Sequence, residues 1–209
     1  MYEWGGDGPA VLLVHGWGGH AGQFHALITE LVAEGRRVIA FDHPGHGRSA
    51  GHSTDIAQMA RAVDAVVRWT GTTSSIVAHS LGAPAVALAS ARSERIAFIA
   101  AAAVPGTYWD MLSKFLRLSK RTKHEGARHV FARTGVTFDE AAMLQSLDGF
   151  DGDMMFAHDP DDRVTSAAAA ADVAAKHERA TLLYRPNTGH RRILSDPGLL
   201  AAVVEFARV

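Results

Sequence analysis

Short apolar runs alternate along the chain with segments whose apolar residues recur at helical spacing. The runs are mostly apolar from end to end, as expected of strands buried on both faces of a sheet, and lie at 10–14, 38–41, 75–78, 96–102, 153–157 and 181–184. The segments of helical spacing lie at 23–34, 55–69, 81–91, 166–176 and 199–208. This alternation predicts an α/β fold: a doubly wound, mostly parallel sheet of about six strands with helices on both faces, preceded at most by a short remnant strand at 2–4.

The alternation stops between residues 104 and 149. This stretch is mostly helical in pattern and shows no clear strand, so we predict a small helical cap, 104–149, inserted into a core formed by 1–103 and 150–209. Seven basic residues lie between Lys114 and Arg133 against one acid, Glu125. This basic face could meet an anionic substrate or an acidic carrier protein. The competing interpretation is a solvated helix face with salt bridges inside the cap, and we favour it because most exposed charges have no binding partner.

Composition narrows the class of protein. Of the 209 residues, 47% are hydrophobic and 21% are charged, with 21 Lys and Arg against 22 Asp and Glu, so bulk charge gives no reason to expect nucleic acid or an anionic membrane as a partner. No apolar run approaches the roughly 20 residues of a membrane span, and the first residues lack the basic start of a signal peptide. We therefore expect a soluble, cytoplasmic protein.

The residue types also limit the possible cofactors. The chain has no cysteine, which excludes disulfides, cysteine-ligated metals and a thiol nucleophile. It has 12 histidines, of which His43 and His46 are a close pair, but no H-E-x-x-H motif occurs. We expect neither a metal nor a cofactor.

Candidate catalytic residues follow the predicted strands at their carboxyl ends, where sites form in a parallel sheet. In chain order these are the loop His15-Gly16-Trp17, then Ser80 at a strand-to-helix turn, the acids Asp159, Asp161 and Asp162, and His190. A serine becomes an effective nucleophile when a histidine takes its proton and an acid orients that histidine. Because His177 precedes the sixth strand and so lies at the opposite end, the geometry selects His190 as the base. The residues alone leave the three acids open.

These motifs resemble the α/β-hydrolase superfamily over nearly the whole chain. The segment Ala78-His79-Ser80-Leu81-Gly82 is similar to its G-x-S-x-G nucleophile elbow, with Ala78 where the family has glycine, and the order Ser, Asp, His is also that of the family. The loop Asp42–Ser49 looks like the turn after the family's second parallel strand. The His15-Gly16-Trp17-Gly18 loop resembles small esterase-type members, one subgroup of which is the acyl-carrier-protein methyl ester esterase of biotin synthesis.

The resemblance implies a role for each candidate. Ser80 would be the nucleophile, His190 the base and Asp162 the orienting acid, while the backbone N–H groups of Trp17 and Leu81 would form the oxyanion hole. Apolar cap residues would line the acyl pocket, with Trp109, Leu112 and Phe115 as candidates.

The expected function is that of a cofactor-free serine hydrolase that cleaves a small-molecule carboxylic ester through an acyl-enzyme intermediate. The alternative is a ligand-sensing or partner-binding protein on a hydrolase fold, with weak or vestigial turnover.

Overall fold

The apolar runs form the strands of a single seven-stranded sheet in a computed structural model of the chain. The structure describes residues 1–90, 93–103, 106, 109–110, 113–114, 116–135, 137 and 143–208. The strands are β1 (Tyr2–Trp4), β2 (Ala10–Val14), β3 (Arg37–Ala40), β4 (Thr73–His79), β5 (Arg95–Ile99), β6 (Asp153–His158) and β7 (Ala180–Tyr184). Their order is β1-β3-β2-β4-β5-β6-β7. Strand β1 pairs antiparallel with β3, and the other neighbouring strands pair parallel.

The predicted α/β class and its six parallel strands are confirmed, and the seventh strand is the remnant β1. Strand β1 has only three residues, too few to show a hydrophobic period, so the sequence pattern indicates it only weakly. Tyr2 pairs with Ala40, and its hydroxyl donates to Asp42 Oδ2 at 3.1 Å. This bond ties the start of the chain to the loop that follows β3.

Helices cover both faces of the sheet. They are α1 (His25–Ala33), α2 (Ile56–Thr70), α3 (Gly82–Leu88), α4 (Lys120–Thr134), α5 (Met143–Ser146), α6 (Ala167–Ala174) and α7 (Pro197–Phe206), with 3-10 turns at Ala21–Phe24 and Arg192–Ser195. Because side chains alternate along a strand, Leu12 packs in the cluster under α2, α3 and α6, whereas Leu13 packs in the cluster under α1 and α7. Both leucines are fully buried. No helix in the described ranges is long and apolar enough to cross a membrane.

Between residues 104 and 149, the described part of the chain contains the helices α4 and α5 and no strand. Met143 and Leu147 are fully buried in the core cluster that also contains side chains of α2 and α3. In contrast, α4 exposes four of its five Lys and Arg residues, and Arg133 reaches the start of α2, 4.0 Å from Asp55. The division of the chain into core and cap remains a prediction.

Candidate active site

Ser80 lies in the sharp turn between β4 and α3. Its φ is +56°, in the left-handed region that residues with a Cβ rarely adopt. The turn is held by backbone hydrogen bonds: Ser80 N donates to Ile99 O at 3.0 Å, and Ser80 O accepts from Ala83 N and Ala102 N, both at 3.1 Å. Strand β5 ends at Ile99, short of the predicted 102, because the next residue, Ala100, has a φ of +45° and so leaves the extended conformation. The turn thus fixes the serine beyond the end of the sheet.

Small residues around Ser80 allow backbones to approach closely. A Cβ built on Gly16 would lie 2.7 Å from the Cβ of Ser80, and one built on Gly82 would lie 2.6 Å from Val14 O. A side chain at either position would displace the turn. Ala78, where the resembled family has glycine, is fully buried and sits opposite Val14 in the sheet, so its methyl group is accommodated.

The structure brings Ser80, His190 and Asp162 together in one chain of hydrogen bonds. His190 Nε2 lies 2.9 Å from Ser80 Oγ, and His190 Nδ1 lies 2.7 Å from Asp162 Oδ2. The Asp162 side chain is fully buried, and that of His190 is 13% exposed. This is the arrangement in which a histidine can take the serine proton while a carboxylate fixes its tautomer.

Asp162 is held in its charged form. Burial would by itself raise the pKa of its carboxyl group. Hydrogen bonds from His190 and from the backbone N–H of Val164, at 2.7 Å, outweigh burial and lower the pKa to about 2. Asp162 is therefore an anion at neutral pH and stabilises a positive charge on His190.

Thr165 lies behind the acid, a contact that sequence reasoning missed. Its hydroxyl is 3.0 Å from Asp162 Oδ2, 3.1 Å from Ala100 O and 3.3 Å from His158 Nε2. A threonine three residues after an aspartate is a weak signal of such a local bond. Here the hydroxyl connects the acid loop to the ends of β5 and β6.

Asp159, the second candidate acid, contacts the loop that carries His190. Its carboxylate accepts from Gly189 N at 2.5 Å and from Asp161 N at 3.0 Å. Asn187 and Gly189 in this loop have φ values of +64° and +67°, in the left-handed region that asparagine and glycine adopt most readily. The backbone hydrogen bonds, that from Gly189 foremost, lower the pKa of Asp159. The third candidate, Asp161, is exposed.

His79 holds the same loop from the other side. Its Nε2 is 2.8 Å from the backbone oxygen of His190, and its Nδ1 is 3.3 Å from Gln23 Nε2. Because a carbonyl can only accept, Nε2 carries the proton and Nδ1 accepts from the Gln23 amide. Burial lowers the pKa of His79 to about 3, which keeps the ring neutral.

The predicted oxyanion donors lie in adjoining backbone. A Cβ on Gly16 would lie 2.9 Å from Leu81 N, which puts the loop carrying Trp17 directly beside the elbow. Within the described ranges, neither the Trp17 nor the Leu81 N–H has an acceptor. His15 shapes this loop: its Nδ1 donates to Gly16 O at 2.7 Å, and its Nε2 accepts from His43 N at 2.9 Å. Burial is the main reason that the pKa of His15 falls to about 4.

A small cavity of about 140 Å³ opens beside Ser80. Its lining combines Ser80 and His190 with side chains that sequence reasoning did not single out, among them Gln23, Val164 and Arg191. Trp109 does not line it; the indole packs on α4, where a Cβ on Gly126 would lie 2.7 Å from Trp109 Cζ2. The other two predicted pocket residues, Leu112 and Phe115, lie outside the described residues.

Three histidines lie close together near this site. His15, His43 and His46 cluster, with ring centroids of His15 4.7 Å from His43 and 5.3 Å from His46. In the part of the chain that the structure describes, no group of three or more metal-ligating side chains could hold an ion.

The fold and the site geometry are those of an α/β-hydrolase. A family model described as "Serine aminopeptidase, S33" matches residues 8–182, and the chain belongs to this family.

Individual relatives extend this finding. The chain is similar to a monoacylglycerol lipase of Mycolicibacterium smegmatis, 28% identical over 168 residues that cover 80% of this chain and 56% of the lipase. It is also similar to a pimeloyl-[acyl-carrier protein] methyl ester esterase of Xanthomonas oryzae, 44% identical over 52 residues that cover 25% of this chain and 20% of the esterase. The crystal structure of Paleococcus ferrophilus monoacylglycerol lipase has the same fold, with a TM-score of 0.75, 20% identity, and coverage of 99% of this chain and 97% of that one. The matches to the curated relatives therefore span about half of their length or less.

Proposed function

We propose that this protein is a serine hydrolase that cleaves carboxylic esters through an acyl-enzyme on Ser80. The observation that carries the proposal is the continuous hydrogen-bonded chain from Ser80 Oγ through His190 to Asp162, at 2.9 and 2.7 Å, next to two backbone N–H groups that have no acceptor among the described residues. A serine, a base, an orienting acid and oxyanion donors are the set that acyl transfer needs.

The reaction runs in two halves. Ser80 Oγ attacks the acyl carbon while His190 Nε2 takes the hydroxyl proton, and the Asp162 carboxylate stabilises the resulting imidazolium. The N–H groups of Trp17 and Leu81 stabilise the oxyanion of the tetrahedral intermediate. His190 then gives the proton to the departing alkoxide, which leaves as an alcohol. A water molecule repeats the sequence on the acyl-enzyme, and the carboxylic acid is released.

Two observations support an ester as the substrate. Two relatives have names that refer to ester cleavage: a monoacylglycerol lipase, which matches 168 residues, and a methyl ester esterase, which matches 52 residues. The cavity beside Ser80, at about 140 Å³, is smaller than the roughly 300–1,000 Å³ of sites for drug-sized ligands, which favours a short acyl group.

An acidic carrier protein is a candidate source of the acyl group. Lys120 and Arg128 are exposed on α4 and pair with no acid in the ranges that the structure describes, and one relative is named for a carrier-protein ester. Against this, Arg121 pairs with Glu125 at 2.9 Å, and Lys123 pairs with Asp110 at 2.5 Å. Replacing Lys120 and Arg128 by glutamate should weaken only a salt-sensitive kcat/KM for a carrier-bound ester; equal kcat/KM values for variant and wild type would remove the carrier.

The direct test is hydrolysis of p-nitrophenyl esters of increasing acyl length by the wild type, Ser80→Ala and Ser90→Ala. Ser90 is an exposed serine outside the site and serves as the matched control. We expect Ser80→Ala to lose several orders of magnitude in kcat/KM, with Ser90→Ala unchanged and the optimum at short chains.

Other outcomes redirect the proposal. If the wild type and Ser80→Ala are equally inert on every ester, the ligand-binding alternative replaces catalysis. Cleavage of aminoacyl p-nitroanilides without ester cleavage would move the substrate class to peptides, as the family's description suggests.

A further inference from the structure

We propose that Arg191 is a specificity-determining residue that binds an anionic group of the substrate, so that the preferred substrates are esters of short acids that carry one free anionic group besides the ester. This inference rests on the proposed ester hydrolysis and names its substrate class. Arg191 directly follows His190 and lines the cavity beside Ser80. A negatively charged group of the substrate, a few bonds from the carbonyl that Ser80 attacks, would therefore lie near the guanidinium of Arg191.

Arg191 differs from the neighbouring arginines because its side chain is uncommitted. Arg185 forms two hydrogen bonds with Asp196, at 2.5 and 3.2 Å, and Arg192 donates to Asn187 O at 3.4 Å. Arg191 is exposed, and within the described ranges its side chain has no ion pair or hydrogen bond. Its donors are free to receive a planar anion such as a carboxylate, which a guanidinium can bind bidentately.

The electrostatics of the cavity favour an anion. No carboxylate side chain is among the described residues that line it. The nearest catalytic acid, Asp162, is fully buried behind His190 and already paired with it. The charge of Arg191 reaches inward: burial is the main cause of the lowered pKa of His79, and Arg191 lowers that pKa further.

The size of the cavity favours a short substrate. About 140 Å³ leaves little room for a long chain beside Ser80. Half-esters of four-carbon dicarboxylic acids fit these two conditions, since they combine a short acyl group with one free carboxylate.

The test compares monoethyl succinate with ethyl butyrate, a neutral ester of the same acyl length, in the wild type, Arg191→Gln and Arg163→Gln. Arg163 is an exposed arginine beside Asp162 that does not line the cavity, so it controls for a general loss of positive charge. The readout is the ratio of kcat/KM for the anionic ester to kcat/KM for the neutral ester. A loss of activity common to both esters cancels in this ratio.

We expect the wild type to prefer monoethyl succinate and Arg191→Gln to lower the ratio about tenfold or more, with Arg163→Gln within twofold of the wild type. The charge-assisted pair also predicts that 0.5 M NaCl reduces the ratio in the wild type and leaves it unchanged in Arg191→Gln. A wild-type ratio at or below one, or an equal fall of the ratio in both variants, overturns the inference. If the wild type hydrolyses neither of these two esters and none of the p-nitrophenyl esters, the proposed function is overturned instead.

Discussion

Acid should destabilise this protein well above the pH at which carboxylates titrate, because buried neutral histidines hold the site together. His15 and His79 are 0% and 4% exposed, and burial lowers their pKa values to about 4 and about 3. In the unfolded chain a histidine has a pKa of about 6.5. Below that pH the unfolded chain therefore binds protons that the folded protein does not, and stability falls with falling pH.

The magnitude follows from the two pKa values. A pH of 5 lies about 1.5 pH units below the pKa of a histidine in the unfolded chain, and each unit corresponds to about 1.36 kcal/mol. Protonation of each of the two histidines in the unfolded chain therefore destabilises the fold by about 2 kcal/mol relative to pH 7. His43, whose pKa burial also lowers well below the ordinary value, acts in the same direction. His15 and His79 together therefore account for a loss of about 4 kcal/mol. Asp162, with its pKa lowered to about 2, acts in a different window: its stabilisation is present above about pH 4 and is lost as the pH falls toward 2.

Urea unfolding at pH 7, 6 and 5 measures this loss, and His79→Gln isolates one contribution. Glutamine keeps an N–H donor for the backbone oxygen of His190 but does not titrate, so the variant should lose about 2 kcal/mol less than the wild type between pH 7 and 5. His25→Gln, on the exposed side of α1, should keep the wild-type pH dependence. A wild-type free energy of unfolding that stays constant from pH 7 to 5, or the same loss in His79→Gln, would refute the reasoning.

Two further variants probe the geometry of the site. Gly16→Ala should lower kcat on p-nitrophenyl acetate by about 100-fold at unchanged circular dichroism, because its Cβ would lie 2.7 Å from that of Ser80; wild-type kcat would show that the close approach is unimportant. Asp159→Asn weakens the hydrogen bond from Gly189 N, so this variant should lower kcat about tenfold, change KM by less, and alter the pH profile of kcat/KM. The exposed control Asp161→Asn should leave kcat and the pH profile unchanged. Identical profiles for these two asparagine variants would deny Asp159 a positioning role.

The strands were predictable because a strand buried in a parallel sheet needs an apolar run, and each strand from β2 to β6 contains one. Ser80 and His190 were predictable because parallel strands bring their carboxyl ends to one edge. The residues alone did not separate Asp159, Asp161 and Asp162, since three acids in four residues share one loop; the family resemblance pointed to Asp162, and it is Asp162 that contacts His190. Only side-chain direction separates the acid that meets His190 from the one that meets Gly189.

Other features depend on directions that a sequence does not specify. Trp109 is apolar and lies in the predicted cap, but an apolar residue of a helical segment can face another helix as well as a pocket, and here it packs on Gly126. Arg191 looks like any surface arginine in the sequence. The role proposed for it rests on its place at the cavity and on the partners that Arg185 and Arg192 have and Arg191 lacks within the described residues.

Covalent labelling with a fluorophosphonate tests the central claim most directly, because this reagent reacts with a serine only when a base activates it. Intact-mass and peptide analysis should find one label per chain, located on Ser80, with none on Ser80→Ala and much slower labelling of His190→Ala and Asp162→Asn. A label on another serine, or labelling of Ser80→Ala at the wild-type rate, would contradict the account.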